Sequence, residues 1–153
     1  MADIKLPRER SRNMAAIHGR DTKPEVHLRK LLFAQGYRYR KNYAKIPGHP
    51  DIYLPRYRTA IFVHGCFWHR HAGCKYAYMP KSNVEFWKEK FQNNINRDQK
   101  VKRKILASGN RYLVVWECFI KKAIVNEDKK EKLSNLMEVF LKRLETYLEM
   151  EDN

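Results

Sequence analysis

The stretch from His64 to Cys74 constrains this chain more than any other. It reads HGCFWHRHAGC and contains three of the six histidines and two of the three cysteines. Thiols and imidazoles at this spacing are typical of metal ligands, and the alternative is a packed loop in which they are incidental. Together with Cys118, further along the chain, Cys66, His71 and Cys74 supply the four sulfur and nitrogen ligands of a closed structural zinc site. We expect Cys118 at the end of a strand, so a zinc ion there would tie the loop to the sheet.

The charge of the chain indicates a polyanionic partner. Its 32 lysines and arginines against 17 aspartates and glutamates give a formal net charge of +15. This excess favours nucleic acid, through phosphate contacts and counterion release, and a basic membrane-surface protein is the alternative. No apolar run is long enough to cross a bilayer, and the N-terminus lacks the apolar core of a signal peptide. We therefore expect a protein of the reducing cytoplasm, whose three cysteines are metal ligands or reactive thiols.

Two helices are predicted from capping boxes. The first box covers residues 22–25, so Glu25 is either a helix cap or a functional acid. The second covers residues 82–85 and predicts a helix that continues to Ala107. A later stretch, residues 131–149, carries apolar side chains at helical spacing and predicts a C-terminal packing helix.

The remaining segments complete an α/β pattern in one domain over residues 1–153. Residues 1–20 are either a short basic helix that orders on DNA or a solvated tail. Alternating or apolar runs predict short strands at residues 37–43, 51–54, 59–63 and 112–116.

A candidate catalytic set surrounds the same loop. Asp51 stands at the entry of a predicted strand, where its carboxylate would hold Mg²⁺, although an aspartate after proline is also an ordinary turn residue. Lys90, Asn94 and Asp98 share one face of the predicted helix, and that face is either solvated or turned toward the site. His69 is not needed as a zinc ligand. With Asp98 fixing its tautomer, His69 would take a proton from water as a general base.

Two large aromatic residues, Phe67 and Trp68, lie between the predicted zinc ligands. On a basic protein, such side chains can wedge between base steps, at an unstacking cost of about a few kcal/mol per step. Base pairs that are already mismatched unstack more easily. This difference provides a mechanism for selecting mismatched sites.

Five stretches of the chain carry motifs in an order that is specific to one family. They are MAAI and DTKPE within residues 14–25, PGHPD at 47–51, FVHGCFWH at 62–69, EFW and NxxRD within 85–98, and VWEC at 115–118. This set resembles the very-short-patch repair (Vsr) DNA mismatch endonucleases over roughly residues 10–120. One departure is the pair of residues between His71 and Cys74, where the family has a single residue.

The resemblance implies a fold and an activity. The fold is the restriction-endonuclease-like α/β fold, with a central mixed β-sheet flanked by helices and a structural zinc site. The activity is Mg²⁺-dependent nicking of duplex DNA on the 5′ side of the thymine in T:G mismatches, which arise when 5-methylcytosine is deaminated. The partner is therefore double-stranded DNA with such a mismatch. We expect a monomer, and the sequence leaves any mismatch-repair protein partners open.

The resemblance also assigns residues by position. The active-site positions of the family match Asp51, His69, Asp98, Glu25 and His64. Mg²⁺ is held by Asp51 and by the backbone carbonyl at Val63, and Zn²⁺ by Cys66, His71, Cys74 and Cys118. The intercalating aromatics match Phe67, Trp68 and Trp87, the mismatch-facing polar pair matches Lys90 and Asn94, and Met14 and Ile17 match an N-terminal helix at the minor groove.

Two other functions remain open at this point. A restriction endonuclease of the same fold, cutting a specific paired site, would share nearly every chemical residue. A non-catalytic zinc DNA-binding module would explain the charge, the zinc set and the aromatics, but it gives no reason for Asp51, His69 and Asp98 to occur together.

Overall fold

The structure, a computed structural model, describes residues 21–150. Residues 1–20, with Met14 and Ile17, therefore lie outside the described part of the chain. The helices are α1 (Lys23–Ala34), α2 (Val84–Ala107), α3 (Glu117–Val125) and α4 (Glu127–Lys142), with a short 3₁₀ turn at Pro55–Tyr57. The strands are β1 (Arg40–Lys41), β2 (Ile52–Leu54), β3 (Thr59–His64), β4 (Arg111–Trp116) and β5 (Tyr147–Met150).

The five strands form one mixed sheet in the order β1-β2-β3-β4-β5. Strand β2 is antiparallel to both β1 and β3, whereas β4 runs parallel to both β3 and β5. Pairing of His64 with Trp116 places the ends of β3 and β4 side by side. The loop after β3 and helix α3 after β4 therefore begin at the same edge of the sheet.

Alternating strand residues divide the core between the two faces of this sheet. On one face, Ile61 and Leu113 pack in a cluster with the apolar sides of α1, α3 and α4. On the other face, Phe62 and Val114 pack in a second cluster with Ile105 of α2. The predicted α/β class, with a central mixed sheet flanked by helices, is confirmed. In the described part of the chain, no helix is both long enough and apolar enough to cross a membrane.

The two predicted capping boxes have opposite outcomes. Thr22 Oγ1 accepts the backbone N–H of Glu25 at 3.4 Å, so the first cap is present. The second is wrong, because the helix begins at Val84 and its capping residue is Asn83, in the left-handed region with φ of 53° and no side-chain cap. The start lies one residue later than Ser82 requires, so the serine is not positioned to cap the first turn.

The predicted helix over residues 131–149 is wrong in its last third. Helix α4 begins earlier, at Glu127, where Asn126 Oδ1 accepts the N–H of Lys129 at 3.1 Å, and it ends at Lys142. The chain then turns and pairs with β4 as strand β5. Leu144, placed in the apolar stripe by the sequence, is 99% exposed. Over so few residues, the spacing of Leu148 and Met150 fits a strand as well as a helix.

The other predicted strands are confirmed to within a residue or two, except the first. The strand predicted over 37–43 is reduced to Arg40–Lys41. Cys118, expected at the end of a strand, lies in the first turn of α3, a helix that the sequence did not predict.

Candidate active site and metal centre

The four predicted zinc ligands converge beside the ends of β3 and β4. Cys66 follows β3, His71 and Cys74 lie in the loop, and Cys118 lies in the first turn of α3. Their ligand atoms all lie within 4.8 Å of one another, and Cys118 Sγ is 3.5 Å from His71 Nδ1. A tetrahedral zinc with Zn–S bonds of about 2.3 Å separates its sulfurs by about 3.8 Å, so this cluster needs little adjustment to close around the ion.

The surroundings of the thiols also suit a metal cation. Burial raises the pKa of Cys66 to about 12, and burial also raises the pKa of Cys118. Two buried neutral thiols beside an imidazole become stable as thiolates when a cation is bound between them. The imidazole of His71 is held in place by stacking on Trp116, with ring centroids 4.3 Å apart. The residues present therefore fit a metal ion that takes sulfur and nitrogen ligands.

Next to this cluster, an open cavity of about 700 Å³ collects the predicted catalytic residues. Strands β3 and β4, helix α2, the start of α1 and the turn that leads into β2 all contribute to its wall. The predicted residues in the lining are Glu25, Asp51, Val63, His64, His69 and Asp98. Every catalytic position assigned from the sequence therefore faces the same space.

Asp51 enters the cavity just before β2. Its Oδ2 accepts the backbone N–H of Val63 at 2.7 Å, across the antiparallel pair of strands. Burial and, next, the charge of Glu25 raise the pKa of Asp51 to about 7. The structure thus places the Val63 backbone at Asp51 through its N–H, and the Val63 carbonyl as a Mg²⁺ ligand stays a prediction.

A close approach of the preceding turn to α2 sets the position of Asp51. Gly48 has a φ of +77°, and a Cβ there would lie 2.5 Å from Cγ1 of Val101. A side chain would therefore be disfavoured twice, by the left-handed backbone and by contact with the helix. The turn containing Gly48 leads directly to the aspartate.

Glu25 contacts the start of α1 as a cap and also faces the cavity, while its role as a functional acid stays a prediction. It is 4% exposed at the start of α1, lines the cavity, and accepts the backbone N–H of Asp21 at 2.8 Å through Oε2. Arg29 in turn donates to Asp21 Oδ1 at 2.8 Å. Burial raises the pKa of Glu25, and the hydrogen bond from Asp21 opposes that shift. A buried carboxylate beside Asp51 is an arrangement that a divalent cation would stabilise.

The third element of the predicted catalytic set is a histidine pair next to an aspartate. His69 Nδ1 lies 2.7 Å from Asp98 Oδ2, and the ring of His69 stacks on that of His64 with centroids 3.9 Å apart. When Nδ1 donates to the carboxylate, Nε2 carries the lone pair and can accept a proton. Burial and the neighbouring His69 lower the pKa of His64 to about 3, so His64 is a neutral packing partner near pH 7. Ligand atoms of the three residues also lie within 4.8 Å of one another, close enough to hold a cation.

An aromatic cluster joins the loop to the start of α2. The ring of Phe67 lies at its centre, with centroids 5.1 Å from Trp68, 5.5 Å from Trp87 and 5.2 Å from Phe91. Phe91 is buried, whereas Phe67, Trp68 and Trp87 are half-buried. The three predicted intercalating residues are therefore brought together on one surface, although none of them is fully exposed.

The two residues of the predicted mismatch-facing pair differ in their exposure to solvent. Lys90 is exposed on α2, but Asn94 is 4% exposed and donates through Nδ2 to the carbonyl of Trp68 at 3.0 Å. In this structure Asn94 therefore supports the loop that carries Trp68. Its contact with DNA stays a prediction.

Several residues of the site were missed by the sequence reasoning. Arg97, His49 and Tyr112 also line the cavity. The position of Arg97 beside Asp98 in the NxxRD motif could have indicated that it belongs to the site. Nothing in the sequence indicated Tyr112, because an aromatic residue in a buried strand is an ordinary core residue.

A mixed α/β chain that combines a paired acidic centre, an aspartate-supported histidine and a Cys/His cluster has the arrangement of a nuclease. Comparison with known proteins makes the assignment specific. The family model for DNA mismatch endonuclease Vsr matches residues 2–75. The DNA mismatch endonuclease Vsr of Escherichia coli (strain K12) is 40% identical over 148 residues, covering 97% of this chain and 88% of that protein. The chain belongs to the Vsr DNA mismatch endonuclease family and is a DNA endonuclease.

Other relatives are described as Type II nicking enzymes. Type II nicking enzyme V.NmeAIP of Neisseria meningitidis serogroup A / serotype 4A is 48% identical over 128 residues, covering 83% of this chain and 91% of that protein. Type II nicking enzyme V.XorIIP of Xanthomonas oryzae pv. oryzae is 42% identical over 118 residues, covering 77% of this chain and 86% of that protein. The chain is therefore also similar to proteins described as nicking enzymes.

Proposed function

We propose that this endonuclease nicks duplex DNA on the 5′ side of the thymine in T:G mismatches, and that nicking requires Mg²⁺. The observation that carries the proposal is one cavity lined by Glu25, Asp51, His69 and Asp98, beside the aromatic cluster. The acidic pair and the histidine suit phosphodiester hydrolysis, and the aromatic rings suit duplex deformation. We further propose that the fold is of the restriction-endonuclease type.

His69 acts as the general base in this proposal. Its Nε2 takes a proton from a water molecule as the water oxygen bonds to phosphorus, and the bond from phosphorus to the leaving oxygen breaks. Asp98 holds the imidazole in the required tautomer and stabilises the imidazolium that forms. His64 fixes the plane of the ring by stacking, and as a neutral group it adds no competing charge.

The acidic end of the cavity would hold Mg²⁺. Asp51 is the proposed ligand, together with the backbone of Val63, and Glu25 lies near enough to raise the pKa of Asp51. When bound, the ion would stabilise charge on the phosphate oxygens and the leaving oxygen. The N–H of Val63 keeps the Asp51 carboxylate in one orientation.

The Cys/His cluster has a structural role in the proposal. A zinc ion bound by Cys66, His71, Cys74 and Cys118 would close a site with four protein ligands, which leaves no open position for chemistry. It would fix the loop that carries Phe67, Trp68 and His69. The occupied site would thus position both the base, His69, and the aromatic residues Phe67 and Trp68.

Selectivity for mismatched DNA would come from unstacking. Phe67, Trp68 and Trp87 enter the base stack in this proposal, with Lys90 and Asn94 near the mismatch and Met14 and Ile17 at the minor groove. A mismatched step opens more easily than a paired one, so the same wedge gains more net binding energy at a mismatch.

The test is strand-specific nicking with purified protein and Mg²⁺. Labelled duplexes carry a single T:G mismatch in several sequence contexts, beside fully paired duplexes of the same sequences. We expect a nick 5′ of the thymine in mismatched duplexes alone, and no nick when Mg²⁺ is omitted. Equal nicking of paired and mismatched duplexes would overturn the mismatch assignment, and full activity without divalent cations would overturn the Mg²⁺ assignment.

A second candidate follows from the relatives described as Type II nicking enzymes. In this alternative the protein nicks a specific paired sequence. The same duplexes separate the two functions, because a sequence-specific nicking enzyme would cut a paired control that contains its site.

A further inference from the structure

The aromatic cluster extends beyond the three residues assigned to the wedge. Tyr78 lies with its ring centroid 5.2 Å from Phe67, and it is 63% exposed. Phe67 itself is half-buried among its neighbours. Tyr78 therefore presents an open ring at the edge of the cluster, in contact with the residue at its centre.

Arg70 fixes the segment that carries this tyrosine. Its guanidinium donates to the carbonyls of Phe67 at 3.1 Å, Ala77 at 2.7 Å and Tyr78 at 3.1 Å. The same group lies over the ring of Phe91, 3.8 Å from its centroid. An arginine in a DNA-binding loop would ordinarily contact phosphate, but the donors of this one hold backbone together. Through these contacts Arg70 links the Phe67 loop, the Tyr78 segment and helix α2.

The charge near Tyr78 suits duplex DNA as the occupant of this surface. The segment that carries Tyr78 also carries the exposed Lys75 and Lys81, within a chain of net charge +15. An exposed aromatic ring can stack on a base, and the lysines on either side of it can contact the phosphates of the same strand. The tyrosine hydroxyl can hydrogen-bond to water at the solvent-exposed edge of such a contact.

We propose that Tyr78 is a further DNA-contacting residue, which stacks on a nucleobase next to the mismatch, and that Arg70 is its positioning residue. The inference rests on the proposed function, because it takes Phe67 and its neighbours as the wedge. It adds a residue outside that wedge that contributes to mismatch preference.

The first test is the substitution Tyr78→Ala with Tyr76→Ala as its matched control. Tyr76 lies two residues earlier, is 50% exposed, and packs on no other aromatic ring within the described residues. The ring contact given for it is with Lys75, whose Nζ lies 5.1 Å from the ring centroid. The probe is a T:G duplex with 2-aminopurine next to the mismatch, whose fluorescence rises when that base leaves the stack. We expect Tyr78→Ala to weaken binding of this duplex about tenfold, as measured by titration of the probe fluorescence. Tyr78→Phe should retain the wild-type affinity.

The second test concerns Arg70. We expect Arg70→Ala to raise KM for the mismatched duplex with little change in kcat, and Arg70→Lys to restore less than half of the loss. Adding Tyr78→Ala to Arg70→Ala should weaken binding less than it does in the wild-type protein, since the two residues act through one contact. Zinc content and Tm, measured for each variant, separate this effect from loss of the fold. If Arg70→Ala fails to fold, Tyr78→Ala decides alone.

The outcomes distinguish this inference from the proposed function. If the wild-type protein nicks T:G duplexes but Tyr78→Ala binds them like the wild type, the inference is overturned and the function stands. An equal loss of binding in Tyr76→Ala would overturn the inference as well. If the wild-type protein shows no preference for T:G duplexes in nicking or in fluorescence, the proposed function itself fails.

Discussion

His69 Nδ1 lies 2.7 Å from Oδ2 of Asp98, and this contact joins the metal-ligand loop to helix α2. Side-chain exposures of 24% for the histidine and 20% for the aspartate place the contact at the wall of the cavity, partly shielded from water. In that position the aspartate orients the imidazole ring. In the proposed mechanism the loop supplies the base, and the contact with the helix leaves Nε2 to face the substrate.

The first prediction is that Asp98→Asn strongly reduces nicking. An asparagine keeps the size of the side chain but removes the charge that stabilises the imidazolium. We expect the single-turnover nicking rate to fall by a factor of about 10² to 10⁴, the usual contribution of general acid–base catalysis. DNA affinity, measured without Mg²⁺, should stay within about twofold, and a nicking rate near that of the wild type would exclude Asp98 from the mechanism.

The residues of this site were predictable because their chemistry is local in the sequence. Cysteine and histidine at ligand spacing identify a metal site wherever the chain folds, and the structure brings all four predicted ligands together. The partnership of His69 with Asp98 was also predictable, because it needs an acid on a neighbouring helix. The role proposed for Tyr78 was not predictable, because it depends on a ring contact with Phe67 across the loop.

The errors in the predicted fold have a different origin. Strand β5 forms because Tyr147–Met150 pairs in parallel with β4. This long-range contact cannot be predicted from the local sequence of residues 131–149. Arg111 strengthens this return by donating to the carbonyl of Glu145 at 2.8 Å. Over four residues, local spacing does not separate a strand from a helix, so tertiary pairing decides.

The second prediction concerns the metal cluster. Cys118→Ser replaces the predicted ligand on α3 and leaves a weaker metal donor beside Cys66 and Cys74. We expect zinc content to fall below one ion per chain and Tm to drop on the order of 10 °C, as a lost structural metal implies. Chelation of the wild-type protein should produce a similar drop. An unchanged Tm with one zinc ion per chain would contradict a structural role for Cys118.

The third prediction is a pH dependence of stability in Mg²⁺-free, zinc-loaded protein. The pKa of Asp51 is raised from 3.8 to about 7, so between these values the folded state binds the proton more tightly than the unfolded chain. Stability contributed by this carboxyl therefore falls as the pH rises from about 4 to about 7. His64 acts in the opposite direction, because its pKa is lowered to about 3.

Comparison of two proteins isolates the Asp51 contribution. We expect Asp51→Asn, which cannot ionise, to gain stability relative to the wild type as the pH rises through that window. Urea unfolding at several pH values and constant salt measures the difference. Mg²⁺ should restore wild-type stability at pH 8 and leave Asp51→Asn unaffected. A difference that is constant with pH would show that Asp51 titrates normally in the folded protein.

The last prediction uses two glycines with positive φ to separate crowding from backbone strain. Gly48 has a φ of +77°, and an added Cβ would lie 2.5 Å from Val101. Gly36 has a φ of +94°, with nothing within 4 Å of an added Cβ. Gly36→Ala should therefore lose about 1 kcal/mol of unfolding free energy through strain alone.

Gly48→Ala should lose about 1–3 kcal/mol more, because the new methyl group must displace Val101 or the turn. Displacement of the turn moves Asp51, so we also expect a lower nicking rate for Gly48→Ala at saturating Mg²⁺, with Gly36→Ala close to the wild type. Urea unfolding and single-turnover nicking measure the two effects on the same preparations. Equal losses of stability in both variants would show that the turn yields to the methyl group, and unchanged nicking by Gly48→Ala would show that Asp51 keeps its position without this close approach.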